Sequence, residues 1–322
     1  MKNIAILTGG DSDEYDISLL SANTVLQHLN PELFKGYIIH LKNDKFTALI
    51  NKDALAINKA DFTLALENKL ISFDAVFMAL HGSPAENGLI QPYFDNLNIP
   101  YTACNAAVSA LTFDKYKCNT KLKELGFKCA KSHLYKKGNI IDTEAMINKV
   151  GLPCFVKPNG AGSSYGISKV KQKSDLEKAI ILALKHDNKV LIEQFFDGIE
   201  ISVGVYNNGK IIQSLPITEI VTENEFFDYQ AKYEGKSEEI TPARIKEELT
   251  NEIQQTTVDI YKAMQLNGIC RIDYIIMNQV TFVIEINTIP GFAGESIIPK
   301  QLKAAHLKLS EVFEICLLNT QQ

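Results

Sequence analysis

The sequence has no apolar run long enough to cross a bilayer, which takes about 20 consecutive apolar residues. Its first apolar run, NIAILT at 3–8, is shorter than a signal-peptide core, and acidic residues follow it closely. The six cysteines include no CxxC pair, which favours reduced, buried thiols over a zinc or disulfide framework. These absences predict a cytoplasmic protein that does not associate with membranes.

An excess of positive charge is also missing. The net charge is −5, which argues against a nucleic-acid-binding surface. An acidic protein can still hold ATP with a few well-placed lysines. The chain has 322 residues, of which 46% are hydrophobic and 22% charged, so it has the composition of a soluble globular protein with two or three domains.

Buried strands alternate with helices in the first hundred residues, which predicts a parallel sheet. The predicted strands are 3–8, 36–41 and 73–80, and the predicted helices are 18–29 and part of 88–97. Ligands of such sheets gather at the carboxyl ends of the strands, where Gly9-Gly10 and His81-Gly82 fall.

Two further units follow the first. The middle unit is predicted as a small sheet with helices, and the last one as strands, a polar stretch, a long helix and two closing strands. In the last unit, the polar stretch is 222–241, the helix 242–266 and the closing strands 268–277 and 280–287. The predicted fold class is α/β (α+β), with domains 1–103, 104–196 and 197–322.

The segment VKPNGAGSSYG, at 156–166, is the predicted turn of a hairpin. Its glycines permit close backbone approach, so that amide N–H groups can donate to phosphate oxygens. Lys157 adds a positive charge, and Ser163 and Ser164 add hydroxyl donors. No GKS or GKT follows, so the segment is not a P-loop. Taken alone, it fits a phosphate site and a plain glycine-rich hairpin equally well.

Two strands near the C-terminal end, CRIDYIIM and VIEIN, carry a cluster of charged and polar residues. Strand alternation puts Arg271 and Asp273 on one face, and likewise Glu285 and Asn287. If the strands pair, two carboxylates and an amide oxygen converge beside an arginine. Such hard oxygen ligands suit Mg²⁺. The alternative is an Arg–Asp pair with an exposed glutamate, but charges in an apolar strand favour the metal site.

Two other segments give weaker signals. Glu193 and Glu200 flank an aromatic pair in IEQFFDGIE, where the strand could meet an adenine and Glu200 a ribose. Aromatics in FFDYQAKY, at 226–233, could close a lid that excludes water. On these residues alone, a solvated glutamate and an ordinary surface loop are the better interpretations.

Eight motifs appear in a fixed order along nearly the whole chain. They are GGDSDEYDIS, ALHGSPAENGLIQ, FDKYKCNTK, VKPNGAGSSYGISKV, LIEQFFDGIEISV, FFDYQAKY, RIDYII and EINTIPGFAGES. Together they resemble the D-alanine–D-alanine ligases of the ATP-grasp superfamily. The resemblance implies a three-domain ATP-grasp fold, ATP and Mg²⁺ (or Mn²⁺) as cofactors, D-alanine as substrate, and a homodimer.

The resemblance also implies roles for individual residues. ATP contacts fall on Lys115, Lys157, Ser163, Ser164, Glu193, Gln194, Phe195, Phe196, Glu200 and Lys232, and the metal ligands on Asp273, Glu285 and Asn287. The D-alanine contacts fall on Glu14, His81, Tyr233, Arg271, Gly291, Ser296 and Ile297. Of these groups, Glu14 would anchor the ammonium of the first D-alanine, Arg271 would stabilise the oxyanion, and Ser296 would hold the second carboxylate. Ser163 and Tyr233 would join Glu14 in a hydrogen-bonded triad.

Four residues depart from the family pattern: Asn87, Pro92, Tyr165 and Ala293. None of them falls on an implied metal or phosphate ligand. Two other functions stay open at this point. The first is a ligase of the same fold with another acceptor, such as D-lactate, and the second is an ATP sensor without turnover. The joint presence of Glu14, Tyr233, Arg271 and Ser296 argues against a sensor.

Overall fold

The computed structural model describes residues 1–12, 14–51, 53–160, 166–222 and 237–320. Three β-sheets organise these residues, and each sheet falls within one of the three predicted domain ranges. The exact domain boundaries stay a prediction. In the part of the chain that is described, no helix is both long and apolar enough to cross a membrane.

The strands and helices are numbered in chain order. The strands are β1 (Lys2–Gly9), β2 (Phe34–Lys42), β3 (Lys45–Ile50), β4 (Asp53–Asn58), β5 (Thr63–Leu66), β6 (Lys69–Ile71), β7 (Ala75–Met78), β8 (Ser132–Lys136), β9 (Cys154–Pro158), β10 (Ser168–Val170), β11 (Lys189–Gln194), β12 (Ile199–Asn207), β13 (Ile212–Ser214), β14 (Thr218–Thr222), β15 (Ser237–Ile240), β16 (Cys270–Met277) and β17 (Val280–Asn287). The helices are α1 (Tyr15–His28), α2 (Gln91–Asn96), α3 (Ala106–Phe113), α4 (Lys115–Glu124), α5 (Thr143–Val150), α6 (Lys173–Ala183), α7 (Glu247–Ala263), α8 (Ile297–Ala304) and α9 (Leu309–Asn319).

The first sheet has the strand order β6-β5-β4-β3-β2-β1-β7. Its strand β1, next to the edge strand β7, is parallel to both β2 and β7, as predicted from the buried apolar runs. The helix α1 follows β1 and buries Ala22 and Val25 against this sheet. The carboxyl ends of β1 and β7 therefore lie side by side, and the segments that carry Glu14 and His81 leave the sheet there.

The prediction of a parallel sheet is wrong for the other edge, where β3 to β6 form an antiparallel meander. The β2–β3 turn at Asn43-Asp44 (φ of 49° and 59°) and the β5–β6 turn at Glu67-Asn68 (49° and 60°) each have two residues with positive φ. Such turns match the twist of adjacent antiparallel strands and favour short hairpins. Phe46 and Phe62 pack edge to face at 5.2 Å beneath the meander and hold it against the rest of the domain.

The second sheet, in the order β10-β9-β11-β8, is antiparallel throughout. The predicted hairpin of β9 and β10 is confirmed, with Ser168 opposite Val156. The helices α5 and α6 cover the sheet and form a core of their own with it, in which Leu176 and Ile180 pack against Val190. The glycine-rich segment joins β9 to β10 at one end of this sheet.

The third sheet has the order β15-β14-β12-β16-β17, with β13 added on β12. Its strand β15 lies inside the stretch 222–241, for which the sequence analysis predicted no strand. The long helix α7 packs Ile253 and Ile260 against the sheet, and Val108 of α3 and Leu122 of α4 join the same core. Helices that precede the second sheet in sequence therefore pack against the third.

The first and third sheets are joined by a common hydrophobic core. Phe77 of β7 packs edge to face against Phe313 of α9 at 5.0 Å and against Phe292 at 5.8 Å. Ile4 and Ile298 belong to the same buried cluster. The two terminal parts of the chain consequently form one packed body, beside which the second sheet has a separate core.

A buried amide ties α8 to the third sheet and gives a test of this packing. Gln301 accepts a hydrogen bond from the Gly204 N–H (2.9 Å) and donates to the Ser202 carbonyl (2.8 Å) and the Thr218 hydroxyl (3.1 Å). Gln301→Leu should lower the free energy of unfolding by about 3 kcal/mol, because buried polar groups lose their partners. Equilibrium urea unfolding measures this change. Gln255→Leu, on the exposed face of α7, is the control and should change stability by less than about 0.5 kcal/mol.

Candidate active site

Residues of the second and third sheets line one cavity of about 820 Å³, together with residues that follow β1 and β7 of the first sheet. The predicted site residues in its wall are Glu14, His81, Lys115, Lys157, Glu193, Gln194, Phe195, Phe196, Glu200, Arg271, Glu285, Asn287, Gly291, Ser296 and Ile297. The predicted positions Ser163, Ser164, Lys232 and Tyr233 lie outside the described residues. Sequence positions up to 283 residues apart (14 and 297) thus meet in one place.

Antiparallel pairing of β16 with β17 builds the charged centre of the cavity. Arg271 lies opposite Asn287, and Asp273 lies opposite Glu285, as strand alternation predicts. Arg271 donates to both oxygens of Asp273 at 2.9 and 2.8 Å, and Asn287 Nδ2 donates to the same carboxylate at 3.0 Å. The Ser202 hydroxyl donates to it at 2.5 Å. Asp273 is consequently buried behind Arg271, whereas Glu285 and Asn287 reach the cavity surface.

A lysine at the start of α4 faces this centre. The Lys115 Nζ lies 3.1 Å from Glu285 Oε2. Burial lowers the pKa of Lys115, but the charge and hydrogen bond of Glu285 together with the charges of Glu86 and Glu14 outweigh burial, so the pKa is raised overall. The ammonium therefore stays charged at neutral pH. Asp114 caps α4 by accepting from the Lys117 N–H at 3.1 Å, which fixes where the helix begins.

The second cation of the cavity, Lys157 on β9, forms a buried ion pair with Glu193 on β11. Lys157 Nζ lies 2.6 Å from Glu193 Oε2, and Asn119 Nδ2 donates to Glu193 Oε1 at 2.8 Å. The two charged side chains are only 8% and 7% exposed, so each depends on its partners for compensation. Glu193 therefore positions Lys157 in this structure. A nucleotide contact by Glu193 stays a prediction.

The start of the glycine-rich segment is anchored by hydrogen bonds of the Gly160 backbone and the Asn159 side chain. The Gly160 N–H donates to Asp187 at 2.7 Å. Just before it, Asn159 accepts from the Tyr116 N–H at 2.9 Å and donates to Asp114 at 2.8 Å. These bonds connect the end of β9 to the start of α4, and so they hold Lys157 and Lys115 on neighbouring walls.

Aromatic rings form the apolar part of the wall. Phe196 stacks on Phe282 with ring centroids 4.3 Å apart, and Phe155 contacts Phe195 edge to face at 5.6 Å. Lys169 Nζ lies 3.9 Å from the centroid of the Phe195 ring. This surface suits a flat apolar ring, because aromatic faces stack favourably.

His81 connects the first sheet to the loop after β17. Its Nδ1 lies 2.8 Å from the Ile289 carbonyl, which only accepts, so Nδ1 carries the proton. Burial lowers the pKa of His81, so the ring is neutral and Nε2 accepts from the Ser21 hydroxyl at 2.8 Å. Ser21 in turn accepts from the Phe292 N–H at 3.1 Å. Both ring nitrogens are committed to the protein, which favours a positioning role over the predicted substrate contact.

The predicted second D-alanine contacts lie where the chain enters α8. Ser296 precedes this helix, but its side chain makes no capping hydrogen bond. Gly291 lies directly against it, since a Cβ at position 291 would be 2.8 Å from the Ser296 hydroxyl. Ile297 is buried beside them. The Ser296 hydroxyl lies in the cavity wall next to a glycine, whose backbone is not shielded by a side chain. This arrangement is suited to binding a carboxylate.

Three polar residues of this region were not among the sequence predictions. Glu86 lines the cavity, and Asn119 and Ser202 support the charged residues. A signal existed for Asn119, because it follows Lys115 by four residues on the predicted helix and so shares its face. Glu86 belongs to the motif HGSPAENG but follows no strand or helix periodicity. Ser202 depends on the pairing of β12 with β16, which periodicity does not reveal.

The departures from the family pattern fit the local structure. Asn87 donates to the Ser83 hydroxyl at 2.9 Å. Pro92 lies in the first turn of α2, where backbone N–H groups have no acceptor within the helix, so the missing N–H of proline costs nothing. Ala293 lines the cavity, and its carbonyl accepts from the Ser296 N–H at 2.7 Å. Tyr165 lies outside the described residues.

Comparisons with known proteins agree over the whole chain. The family model described as D-ala D-ala ligase N-terminus matches residues 3–104, and the one described as D-ala D-ala ligase C-terminus matches residues 121–317. A protein from Flavobacterium johnsoniae named D-alanine–D-alanine ligase is 48% identical over 314 residues, which cover 97% of each chain.

Solved structures give the same result. The D-alanyl-alanine synthetase A from Vibrio cholerae has a TM-score of 0.87 at 27% identity, with 99% of this chain and 98% of that chain covered. The VanG D-Ala:D-Ser ligase from Enterococcus faecalis has a TM-score of 0.86 at 30% identity, with 99% of both chains covered. From the two domain models and these relatives, the chain belongs to the D-alanine–D-alanine ligase family and has the ATP-grasp fold.

Proposed function

We propose that this protein ligates two D-alanine molecules into D-alanyl-D-alanine, consuming ATP and releasing ADP and phosphate, and so supplies a peptidoglycan precursor. The observation that carries the proposal is the shared cavity. It combines two lysines suited to phosphate, a carboxylate–amide cluster beside an arginine, and the carboxylate of Glu14. The family relationship adds the substrate, since the F. johnsoniae relative is named for this reaction. The same relationship supports a homodimer in the cytoplasm.

The nucleotide is assigned to the side of the cavity next to the second sheet. Lys115 and Lys157 supply positive charge for phosphate oxygens. The aromatic wall at Phe155 and Phe196 suits the adenine, with Gln194 to Phe196 and Glu200 at its edge. The predicted contacts of Ser163, Ser164 and Lys232 are part of the proposal.

Asp273, Glu285 and Asn287 have the donor chemistry for Mg²⁺, with two carboxylates and an amide on paired strands. Among the described residues, no group of three or more His, Cys, Asp or Glu side chains could hold a metal ion, so the set depends on Asn287 as the third ligand. Lys115 and Arg271 compensate the two carboxylates in this structure. When bound, Mg²⁺ would neutralise charge on the ATP phosphates.

The proposed reaction has two steps. First, a carboxylate oxygen of the first D-alanine attacks the γ-phosphorus of ATP, and ADP leaves, which gives an acyl phosphate. The amine of the second D-alanine then loses a proton and attacks the acyl carbon, and phosphate departs from the tetrahedral intermediate. Arg271, held by its two bonds to Asp273, would stabilise the oxyanion of that intermediate. Glu14 would hold the first ammonium, and Ser296 the second carboxylate.

The product identifies the activity. Incubation with ATP, Mg²⁺ and equal amounts of D-alanine, D-serine and D-lactate should yield mainly D-alanyl-D-alanine near neutral pH, as measured by mass spectrometry. D-serine belongs in the mixture because the structurally similar VanG enzyme is a D-Ala:D-Ser ligase. ADP should form faster with D-alanine than without it. If the main product contained D-lactate or D-serine, that molecule and not D-alanine would be the second substrate. If D-alanine did not change the rate of ADP release, the protein would be an ATP sensor.

Glu285 tests the proposed metal site. Glu285→Gln should lower kcat strongly, because a charged metal ligand is lost. The decrease should exceed the roughly 10–100-fold that is typical when a residue behind a metal ligand is replaced. Steady-state kinetics at several Mg²⁺ concentrations measure the effect, and circular dichroism checks the fold. Glu295→Gln, an exposed carboxylate at the rim of the same cavity, is the matched control and should be near normal. Normal turnover of Glu285→Gln at saturating Mg²⁺ would contradict the assignment.

A further inference from the structure

The two lysines of the proposed nucleotide site belong to different packed units. Lys157 lies on β9, whose Val156 is part of the core of the second sheet. Lys115 begins α4, whose Leu122 is part of the core of the third sheet. Neither core alone therefore sets the distance between the two ammonium groups. That distance depends on the contacts that join the end of β9 to the start of α4.

Asn159, two residues after Lys157, makes several of these contacts. It is buried, with 2% of its surface exposed. Its carbonyl accepts from the Lys115 N–H at 3.1 Å, and its Oδ1 accepts from the Tyr116 N–H at 2.9 Å. Its Nδ2 donates to Asp114 Oδ1 at 2.8 Å. One residue thus bonds to three consecutive residues at the start of α4.

The partners of the Asn159 side chain call for an amide at this position. The Tyr116 N–H only donates, and an ionised carboxylate such as that of Asp114 only accepts, so the side chain between them must offer one acceptor and one donor. Aspartate has nearly the same shape as asparagine. It would, however, place a second carboxylate oxygen where the amide nitrogen now lies, 2.8 Å from Asp114 Oδ1.

Asp114 is ionised in this arrangement. Burial raises its pKa, but the hydrogen bonds from Asn159 and the Lys117 N–H and the charge of Lys189 outweigh burial, so the pKa is lowered overall. Lys189 Nζ lies 3.4 Å from Asp114 Oδ2, and the Lys189 carbonyl accepts from the Asn159 N–H at 3.0 Å. Asn159 is therefore held by the second sheet on one side and by the start of α4 on the other.

We propose that Asn159 is a positioning residue for nucleotide binding, which sets the separation of Lys115 and Lys157 so that both ammonium groups meet phosphate oxygens of one nucleotide. The inference rests on the proposed function, because it assumes that the two lysines bind phosphate. Each lysine is already paired within its own unit, Lys157 with Glu193 and Lys115 with Glu285. Asn159 adds the relation between the two units.

A series of nucleotides with one to three phosphates tests this role. Calorimetric titrations of the full-length protein with Mg²⁺ and AMP, ADP or a non-hydrolysable ATP analogue compare wild type with Asn159→Asp. The substitution removes the donor to Asp114 and brings two carboxylates together, so affinity for the ATP analogue should fall roughly 10-fold. The loss should be smaller for ADP and least for AMP, because fewer phosphate oxygens then depend on the spacing of two cations. A residue that only supports folding would weaken all three alike.

Matched variants separate the charge from its position. Asn139→Asp makes the same change at an exposed turn of the same unit and should match wild type. Adding Asp114→Asn to Asn159→Asp removes the repulsion and should recover part of the lost affinity. Circular dichroism checks the fold of each variant. If Asn159→Asp does not fold, Asn159→Ala takes its place, because it removes both side-chain bonds without adding a charge and should show the same dependence on phosphate number.

Steady-state kinetics give a second readout. For Asn159→Asp, KM for ATP should rise, whereas KM for D-alanine should stay near its wild-type value. The reason is that the proposed D-alanine contacts Glu14, Arg271 and Ser296 lie outside the second sheet.

The outcomes distinguish the two proposals. If wild type forms D-alanyl-D-alanine but the variants lose affinity equally for all three nucleotides, or lose none, the inference about Asn159 fails alone. If wild type binds none of the three nucleotides, the proposed function fails and the inference fails with it.

Discussion

The register of β16 on β17 fixes the charged groups at the centre of the cavity. Asp273 opposes Glu285 and Arg271 opposes Asn287, while the intervening Ile272 and Ile286 point into the hydrophobic core. A slip by one residue would exchange the two sets, because successive side chains of a strand face opposite sides. Burying those charges would cost far more than the strands could recover. The hydrophobic core thus enforces the geometry of the polar site.

Strand and helix periodicity predicted much of this arrangement. The alternation in RIDYII and VIEIN was enough to place four side chains together, because β16 and β17 are neighbours in sequence and pair with each other. The meander of β3 to β6 was missed, since its strands are only three to six residues long and bury few of their side chains. The contact of His81 with Ile289 spans 208 residues, and no local pattern encodes such a contact.

Several charged side chains at the cavity are paired with one another in this structure. Glu285 has Lys115, Glu193 has Lys157 and Asn119, and Asp273 has Arg271. Pairing of this kind keeps buried charges tolerable and fixes the side chains before a ligand arrives. Binding in such a site exchanges one set of partners for another.

The separate core of the second sheet has a consequence for cooperativity. The first and third sheets share buried side chains, which favours their cooperative unfolding, whereas the second sheet buries its own set. Lys157 belongs to the second sheet, and Glu285 belongs to the third. On the proposed binding mode, the triphosphate spans the boundary between these two units. A molecule that binds across such a boundary stabilises their association in proportion to its own binding free energy, so the nucleotide would add to the contacts that already join the two units, such as the Asn119–Glu193 hydrogen bond.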